Sequence, residues 1–305
     1  MTTLVFGHKS PDTDSTGSPI IWAWYLNQTG TPAKPVLLGE PNTEAAFVLR
    51  HWGLDKPEII ADVTAGDRVV IVDTNNPAEL PASINEAEIA GIIDHHMLVG
   101  GLKTRKPIDI TIRPLACTAT ILHDLMGAAA ATAPKAIKGA MLSCILSDTL
   151  EFRSPTTTPH DRAVAEKLAA DLGVSIPDLA TQMFEAKSDV SAFSDAALLR
   201  MDSKEYSLAG KELRVSVLET TAPKIVLDRK ASLMTSMEAV AREDGADQVL
   251  LFVIDILREE ATLLVPNDLV KALAQASFGV KVSGDTVVLP GIVSRKLQII
   301  PALKL

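Results

Sequence analysis

The 305-residue chain has little cysteine, few aromatic residues and no surplus of basic charge. Its two cysteines, Cys117 and Cys144, lie in apolar surroundings, which indicates reduced core residues and excludes a disulfide framework. No apolar run is long enough to span a bilayer. Residues 1–6 lack the basic region and the long apolar core of a secretory signal. We therefore expect a cytoplasmic protein that has no membrane partner.

The charge balance argues against nucleic acid as a partner. The net charge is −9, whereas a broad nucleic-acid surface needs a basic stripe of lysine and arginine. A small anionic substrate stays compatible with this acidity, because bound cations can invert the charge of an acidic pocket.

The first half of the chain alternates short apolar runs with helical patterns. Residues 69–72 are consecutive apolar β-branched side chains, which is typical of a strand buried on both faces of a parallel sheet. A second apolar run, residues 91–93, again ends in ionisable groups. The alternation predicts an α/β fold class, with a doubly wound, mainly parallel sheet in the domain of residues 1–187.

The second half has a different pattern. Residues 188–194 are polar and poor in helix formers, and we interpret them as a linker or hinge. Beyond them, strands flank Gly210, a helical pattern covers residues 227–243, and we expect the last strands within residues 286–301. Residues 195–305 therefore form a smaller α/β domain with a mixed sheet.

Ionisable side chains recur where the buried elements end. The carboxyl ends of parallel strands meet along one edge of a doubly wound sheet, so these side chains are expected to lie together. Mixed imidazole and carboxylate ligands suit two divalent cations and favour manganese, cobalt, iron or zinc over magnesium alone. The set is His8, Asp12, Asp14, Asp73, Asp94, His95, His96 and Asp148.

Each member of this set has a simpler explanation when it is taken alone. A single aspartate after a strand is usually a cap or turn residue. Adjacent histidines on a regular strand point to opposite faces, so His95 and His96 can share a site only where the strand gives way to a loop. The recurrence of such groups at separate places in the expected order favours a metal site.

Four segments resemble the metal-site motifs of the DHH phosphoesterase superfamily. These are His8-Lys9-Ser10-Pro11-Asp12-Thr13-Asp14-Ser15, Val72-Asp73-Thr74-Asn75, Asp94-His95-His96 and Ser147-Asp148-Thr149. Two later segments narrow the resemblance to the family II, manganese-dependent inorganic pyrophosphatases. These are Met201-Asp202-Ser203-Lys204-Glu205-Tyr206 and Ser294-Arg295-Lys296-Leu297-Gln298-Ile299-Ile300-Pro301. Leu297 departs from the family pattern, where a second lysine is common.

The resemblance implies a role for each matching residue. His8 and Asp12 are similar to ligands of one metal, Asp14 and His95 to ligands of the other, and Asp73 and Asp148 to carboxylates shared between them. Asp94 resembles a residue that orients the histidines, and Asp14 is also expected to accept a proton from water. The family's phosphate-binding groups correspond to His96, Lys204, Arg295 and Lys296. From the residues alone, Arg295 and Lys296 would read as a solvated strand-end pair, and Lys204 as an exposed lysine.

The implied activity is hydrolysis of inorganic pyrophosphate to two phosphates by a metal-bridged hydroxide. The resemblance implies two Mn²⁺ or Co²⁺ ions per subunit, an additional Mg²⁺ delivered with the substrate, and a site in the cleft between the domains. It also implies a homodimer formed through the edge of the N-terminal sheet.

Two alternative functions stay open. One is an exopolyphosphatase of the same superfamily, although the chain has no obvious insertion for a polyphosphate channel. The other is a non-catalytic metal-binding protein, although no motif ligand is missing. A nuclease of the superfamily is disfavoured, because its glycine-rich GGGH-like motif is absent from the sequence.

Overall fold

A computed structural model describes residues 1–304, and the chain divides into two compact units, Met1–Lys187 and a second that begins at Ser188. The sheet of the first unit has the strand order β3-β2-β1-β4-β5-β6, and each neighbouring pair is parallel. Its strands are β1 Thr3–Phe6, β2 Ala33–Leu37, β3 Glu58–Ile59, β4 Arg68–Val72, β5 Glu88–Asp94 and β6 Asp109–Ile112.

The central strand β4 is buried in the way that is typical of parallel sheets. Val69, Ile71 and Val72 of β4 are fully buried, as expected for a strand that is covered on both faces. The strand order reverses between β1 and β4, and ligands of doubly wound sheets bind beyond the strand ends at such a point. The predicted doubly wound sheet is confirmed. The helices are α1 Thr13–Gln28, α2 Thr43–Trp52, α3 Thr118–Met126, α4 Ala128–Thr132, α5 Lys135–Asp148, α6 Pro159–Leu172 and α7 Ile176–Lys187.

The second unit contains the mixed sheet that the sequence predicts. The strand order is β11-β10-β9-β8-β7, in which β8 and β9 are parallel and the other neighbours are antiparallel. Its central strand β9 is buried along its whole length. The elements are α8 Asp195–Met201, β7 Ser203–Leu208, β8 Lys211–Thr220, α9 Pro223–Leu227, α10 Lys230–Asp244, β9 Gln248–Asp255, β10 Glu260–Leu264, α11 Asp268–Phe278, β11 Thr286–Pro290 and α12 Ile300–Ala302.

Residues 286–301, where the last strands are expected, contain β11, which ends at Pro290, and the expectation of a further strand beyond it is wrong. Arg295–Ile299 form a π-helical turn that leads into α12. The Gln298 side chain organises this turn: its oxygen accepts hydrogen bonds from the backbone N–H groups of Val293 (2.8 Å) and Ser294 (2.9 Å). Side-chain bonds to nearby backbone compete with sheet pairing, so an apolar pattern that suits a strand becomes helical here.

The segment interpreted as a linker packs within the second unit. Ser188 Oγ accepts a hydrogen bond from Thr220 Oγ1 at 2.7 Å, and Val190 packs against the core that includes Leu218 and Val253. Its action as a hinge stays a prediction. None of the helices within residues 1–304 is long and apolar enough to cross a bilayer.

Candidate metal centre

The loop between β1 and α1 is held by a short polar network. Asp12 caps α1, because its Oδ1 accepts a hydrogen bond from the N–H of Ser15 at 2.9 Å. The Ser15 hydroxyl accepts in turn from the N–H of His8 at 2.7 Å. A Cβ at Gly7 would collide with this hydroxyl, so the loop needs glycine there. The result places His8 Nε2 3.7 Å from Asp12 Oδ2.

Asp73 lies between two histidine rings at the end of β4. Its Oδ2 is 3.6 Å from His8 Nε2, and its Oδ1 is 3.4 Å from His95 Nε2. Its φ of +60° turns the chain sharply after the strand, a conformation that aspartate tolerates better than most residues. Thr118 donates a further hydrogen bond to Oδ1 at 3.1 Å. The two carboxylate oxygens therefore face different histidines.

Asp94 orients the two histidines that follow it. Its buried Oδ1 accepts the backbone N–H groups of His95 (2.8 Å) and His96 (3.0 Å), and it lies 2.8 Å from His96 Nδ1. The His95 ring is held separately, because its Nδ1 lies 3.2 Å from the carbonyl oxygen of Leu115. That carbonyl can only accept, so Nδ1 carries the proton and Nε2 is left with its lone pair toward Asp73.

Asp14 and Asp148 form the inner part of the cluster. Asp14 Oδ2 accepts hydrogen bonds from the N–H of Thr118 at the start of α3 (2.7 Å) and from the Cys117 thiol (3.2 Å). Ser18 donates to the other oxygen at 2.5 Å. Ligand atoms of Asp14, Cys117 and Asp148 lie within 4.8 Å of one another. Among the described residues, no hydrogen bond reaches the buried Oδ2 of Asp148.

The cluster holds more buried negative charge than the surrounding protein compensates. Burial raises the pKa of Asp73 well above its ordinary value, and the charges of Asp14, Asp12, Asp148 and Asp94 raise it further. Burial, with Asp14 and Asp12, likewise raises the pKa of Asp148. Such carboxylates ionise readily only when a positive charge lies beside them.

The other carboxylates and the histidines titrate differently. Burial alone would raise the pKa of Asp94, but hydrogen bonds from His96 and Asn75 outweigh it and lower that pKa. Burial would also raise the pKa of Asp12, and His8, the Ser15 N–H and Lys187 lower it. Burial lowers the pKa of His95. The hydrogen bond with Asp94 raises the pKa of His96, against the effect of burial.

The donor set fits divalent cations. His8, Asp12 and Asp73 form one group of candidate ligands whose atoms lie within 4.8 Å, and Asp73, His95 and His96 form another. Asp73 belongs to both groups. The unpartnered Asp148 oxygen and the raised pKa values of the buried carboxylates are the features that a bound cation would relieve.

The sequence-predicted cations Lys204, Arg295 and Lys296 belong to the second unit. Arg295 starts the π-helical turn, and its guanidinium contacts Asp202 through the carbonyl oxygen (2.9 Å) and the carboxylate (2.7 Å). Lys204 is exposed on β7, two residues beyond Asp202, and Lys296 is also exposed. Arg295 thus contacts the residue directly before the strand that carries Lys204. Arg295 and Lys296 lie in a π-helical turn, so their interpretation as a strand-end pair is wrong.

Sequence reasoning missed the supporting roles of two residues, Asn75 and Cys117. Asn75 donates to Asp94 Oδ2 at 2.6 Å and to the carbonyl of Met97 at 3.0 Å, so it joins the ends of two strands. Cys117 is a buried, free thiol, as expected, but it also donates a hydrogen bond to Asp14. Burial and the charges of Asp14 and Asp148 raise the pKa of this thiol, so it keeps its proton and stays a hydrogen-bond donor. Asn75 belongs to the motif Val72-Asp73-Thr74-Asn75, and this position in the motif could have indicated a role in the site.

The chain is similar to known proteins along nearly its whole length. Residues 2–148 match the DHH family, N-terminal domain, and residues 181–305 match the DHHA2 domain. A Deinococcus radiodurans protein named probable manganese-dependent inorganic pyrophosphatase is 38% identical, with 98% of this chain and 97% of the relative covered. A Shouchella clausii protein of the same name is 35% identical, with coverages of 99% and 96%.

A solved structure gives the same result at the level of the whole chain. A Methanococcus jannaschii protein assigned to the family II inorganic pyrophosphatases superposes with a TM-score of 0.61 at 33% identity, covering 99% of this chain and 98% of that one. The matches to the DHH and DHHA2 domains place the chain in the class of the DHH phosphoesterases. Within that class, the chain belongs to the family II, manganese-dependent inorganic pyrophosphatases.

Proposed function

We propose that this protein hydrolyses inorganic pyrophosphate to two phosphates at a dinuclear manganese centre in its first unit. The observation that carries the proposal is the position of Asp73, one oxygen of which faces His8 and the other His95. The full-length similarity to proteins named manganese-dependent inorganic pyrophosphatase supports both the reaction and the metal.

Each cation has its own ligands in this proposal. His8 and Asp12 hold one cation, Asp14 and His95 hold the other, and the carboxylates of Asp73 and Asp148 are shared. Asp94 does not coordinate, since its oxygens are occupied by hydrogen bonds that orient the neighbouring histidines. When bound, the two cations supply Lewis-acid stabilisation of phosphoryl charge and lower the pKa of water.

The remaining roles belong to the chain's own polar groups. Asp14 also accepts a proton from the attacking water in this proposal; its Oδ1 accepts one hydrogen bond, from Ser18, and keeps a second lone pair. His96, whose raised pKa favours the cationic ring, binds a phosphate oxygen. Lys204, Arg295 and Lys296 contribute the other cations, the arginine as a planar fork and the lysines as compact charges. We further propose an additional Mg²⁺ bound with the substrate, and a homodimer.

The decisive experiment measures phosphate release after metal removal. The protein is stripped with a chelator and assayed with pyrophosphate after return of Mn²⁺ or Co²⁺. Activity should vanish on stripping and return with either cation. Release from long polyphosphate, measured in parallel, distinguishes an exopolyphosphatase. A protein that binds Mn²⁺ and releases no phosphate from either substrate would contradict the proposal.

A double variant tests the cations of the second unit. Arg295→Ala/Lys296→Ala should raise KM or reduce kcat while the Mn²⁺ content stays that of the wild type. The matched control is Arg258→Ala/Lys281→Ala, which removes one exposed arginine and one exposed lysine from the same unit. Wild-type kinetics in the first double variant would exclude a role for this pair in binding substrate.

A further inference from the structure

One fully buried carboxylate has no role in the metal centre described above. Glu44 lies in the first turn of α2 and is 0% exposed. Glutamate is rarely buried unless it is paired, because removing its charge from water is costly. Its Oε1 lacks a hydrogen-bond partner among residues 1–304. A side chain that served only to fill the core would avoid this cost.

The other oxygen of Glu44 joins the two chain segments that carry the inner ligands. Oε2 accepts hydrogen bonds from Thr13 Oγ1 at 2.8 Å and from Ser147 Oγ at 2.6 Å. Thr13 stands between Asp12 and Asp14, and Ser147 directly precedes Asp148. One oxygen atom thus connects the start of α1 to the end of α5.

A lysine at the end of α7 adds a positive charge to this network. Lys187 Nζ lies 3.6 Å from Glu44 Oε2, and Lys187 is the last residue of α7. The ammonium partly compensates the buried carboxylate. Lys187 also acts electrostatically on Asp12, so the network and the metal centre share this charge.

We propose that Glu44 is a positioning residue for the metal centre: it holds residues 12–14 and 147–148 at the separation that two cations require. The inference rests on the proposed dinuclear site. Neither Thr13 nor Ser147 offers a ligand in that site, yet each is adjacent in sequence to one. A displacement of either segment therefore moves Asp12, Asp14 or Asp148.

The test measures Mn²⁺ affinity by titration calorimetry, together with the melting temperature of the chelator-treated protein. Glu44→Gln keeps the side-chain shape and removes the charge. We expect it to weaken Mn²⁺ binding about tenfold, the low end of the range for outer-shell partners, because Glu44 acts through neighbours of the ligands. Thr13→Val and Ser147→Ala should weaken binding in the same direction, and Thr13→Ser, which restores the hydroxyl, should recover wild-type affinity.

A matched control lies one turn earlier on α5. Ser143 is fully buried like its helix neighbours and accepts a hydrogen bond from Trp52 Nε1 at 2.9 Å. Ser143→Ala should lower the melting temperature and leave Mn²⁺ affinity unchanged. In a double-mutant cycle, Thr13→Val should add little to Glu44→Leu, because Glu44→Leu removes the acceptor oxygens and with them the same connection.

Each outcome decides between a positioning role and a purely structural one. If Glu44→Gln and Thr13→Val lower the melting temperature but bind Mn²⁺ like the wild type, Glu44 only stabilises the core and the inference is wrong. If Glu44→Gln does not fold, the pair Thr13→Val and Thr13→Ser carries the same test. A wild-type protein that binds no Mn²⁺ would overturn the proposed function as well, which separates the two failures.

Discussion

Replacing Asp94 by asparagine exchanges one oxygen of a fully buried side chain for an NH₂ group. Oδ1 of Asp94 accepts hydrogen bonds from the backbone N–H groups of His95 and His96 and also contacts the His96 ring. Oδ2 accepts a hydrogen bond from Asn75 Nδ2 at 2.6 Å. An asparagine has one oxygen for these two sets of donors. Its NH₂ group must therefore face either the NH₂ group of Asn75 or the backbone N–H groups of His95 and His96, and neither of these can accept a hydrogen bond.

The size of the effect follows from this lost contact. Hydrogen bonds to a charged acceptor contribute about 1.5–3 kcal/mol. For a unit of this size, that loss corresponds to a melting temperature lower by about 3–12 °C. The histidines also lose their orientation, and loss of such an outer-shell partner weakens metal binding by about ten- to hundredfold.

The assay combines thermal unfolding with Mn²⁺ titration of Asp94→Asn. Asp255→Asn is the control: Asp255 is also the last residue of a strand, is 8% exposed, and accepts the N–H groups of Leu257 (2.9 Å) and Arg258 (3.1 Å). It lies in the second unit, so its replacement should leave Mn²⁺ binding unchanged. Asp94→Asn that is destabilised yet binds Mn²⁺ like the wild type would refute the orienting role.

Two further predictions concern protons. Asp73 and Asp148 have raised pKa values in the metal-free protein and must ionise to act as ligands, so Mn²⁺ binding should release protons and tighten with pH. The metal-free fold should correspondingly lose stability as pH rises through the raised pKa values of these carboxyl groups. Calorimetry in buffers of different ionisation enthalpy counts the protons that Mn²⁺ binding releases. Mn²⁺ binding without proton release would contradict the assignment of Asp73 and Asp148 as ligands. The pKa of His96 is raised chiefly by its hydrogen bond with Asp94, so its positive charge persists above the ordinary pKa and disappears as pH rises through the raised one. KM for pyrophosphate should increase over that range, and His96→Gln should lose this dependence; an unchanged KM profile in the variant would count against contact of His96 with phosphate.

Local patterns in the sequence suffice for the doubly wound sheet and for the position of its ligands. Val69, Val70, Ile71 and Val72 predict a strand buried on both faces, and the structure confirms it. Parallel strands end at a common edge, so the ionisable residue that follows this strand can be assigned to that edge from spacing alone. The motifs around these residues also resemble the family that the comparisons show.

The tertiary structure decided what supports those ligands. Glu44 contacts Ser147 and Asp14 contacts Thr118, although more than a hundred residues separate each pair in the chain. Periodicity reports the neighbours of a residue along one helix or strand, and it carries no information about contacts between distant elements. Sequence patterns also missed the helical turn at Arg295. There the Gln298 side chain accepts hydrogen bonds from nearby backbone N–H groups, and these bonds replace the strand pairing that the apolar residues beside it favour. Local sequence patterns thus predict the fold class and the ligand motifs, whereas the contacts between distant segments that help to hold those ligands are visible only in the folded chain.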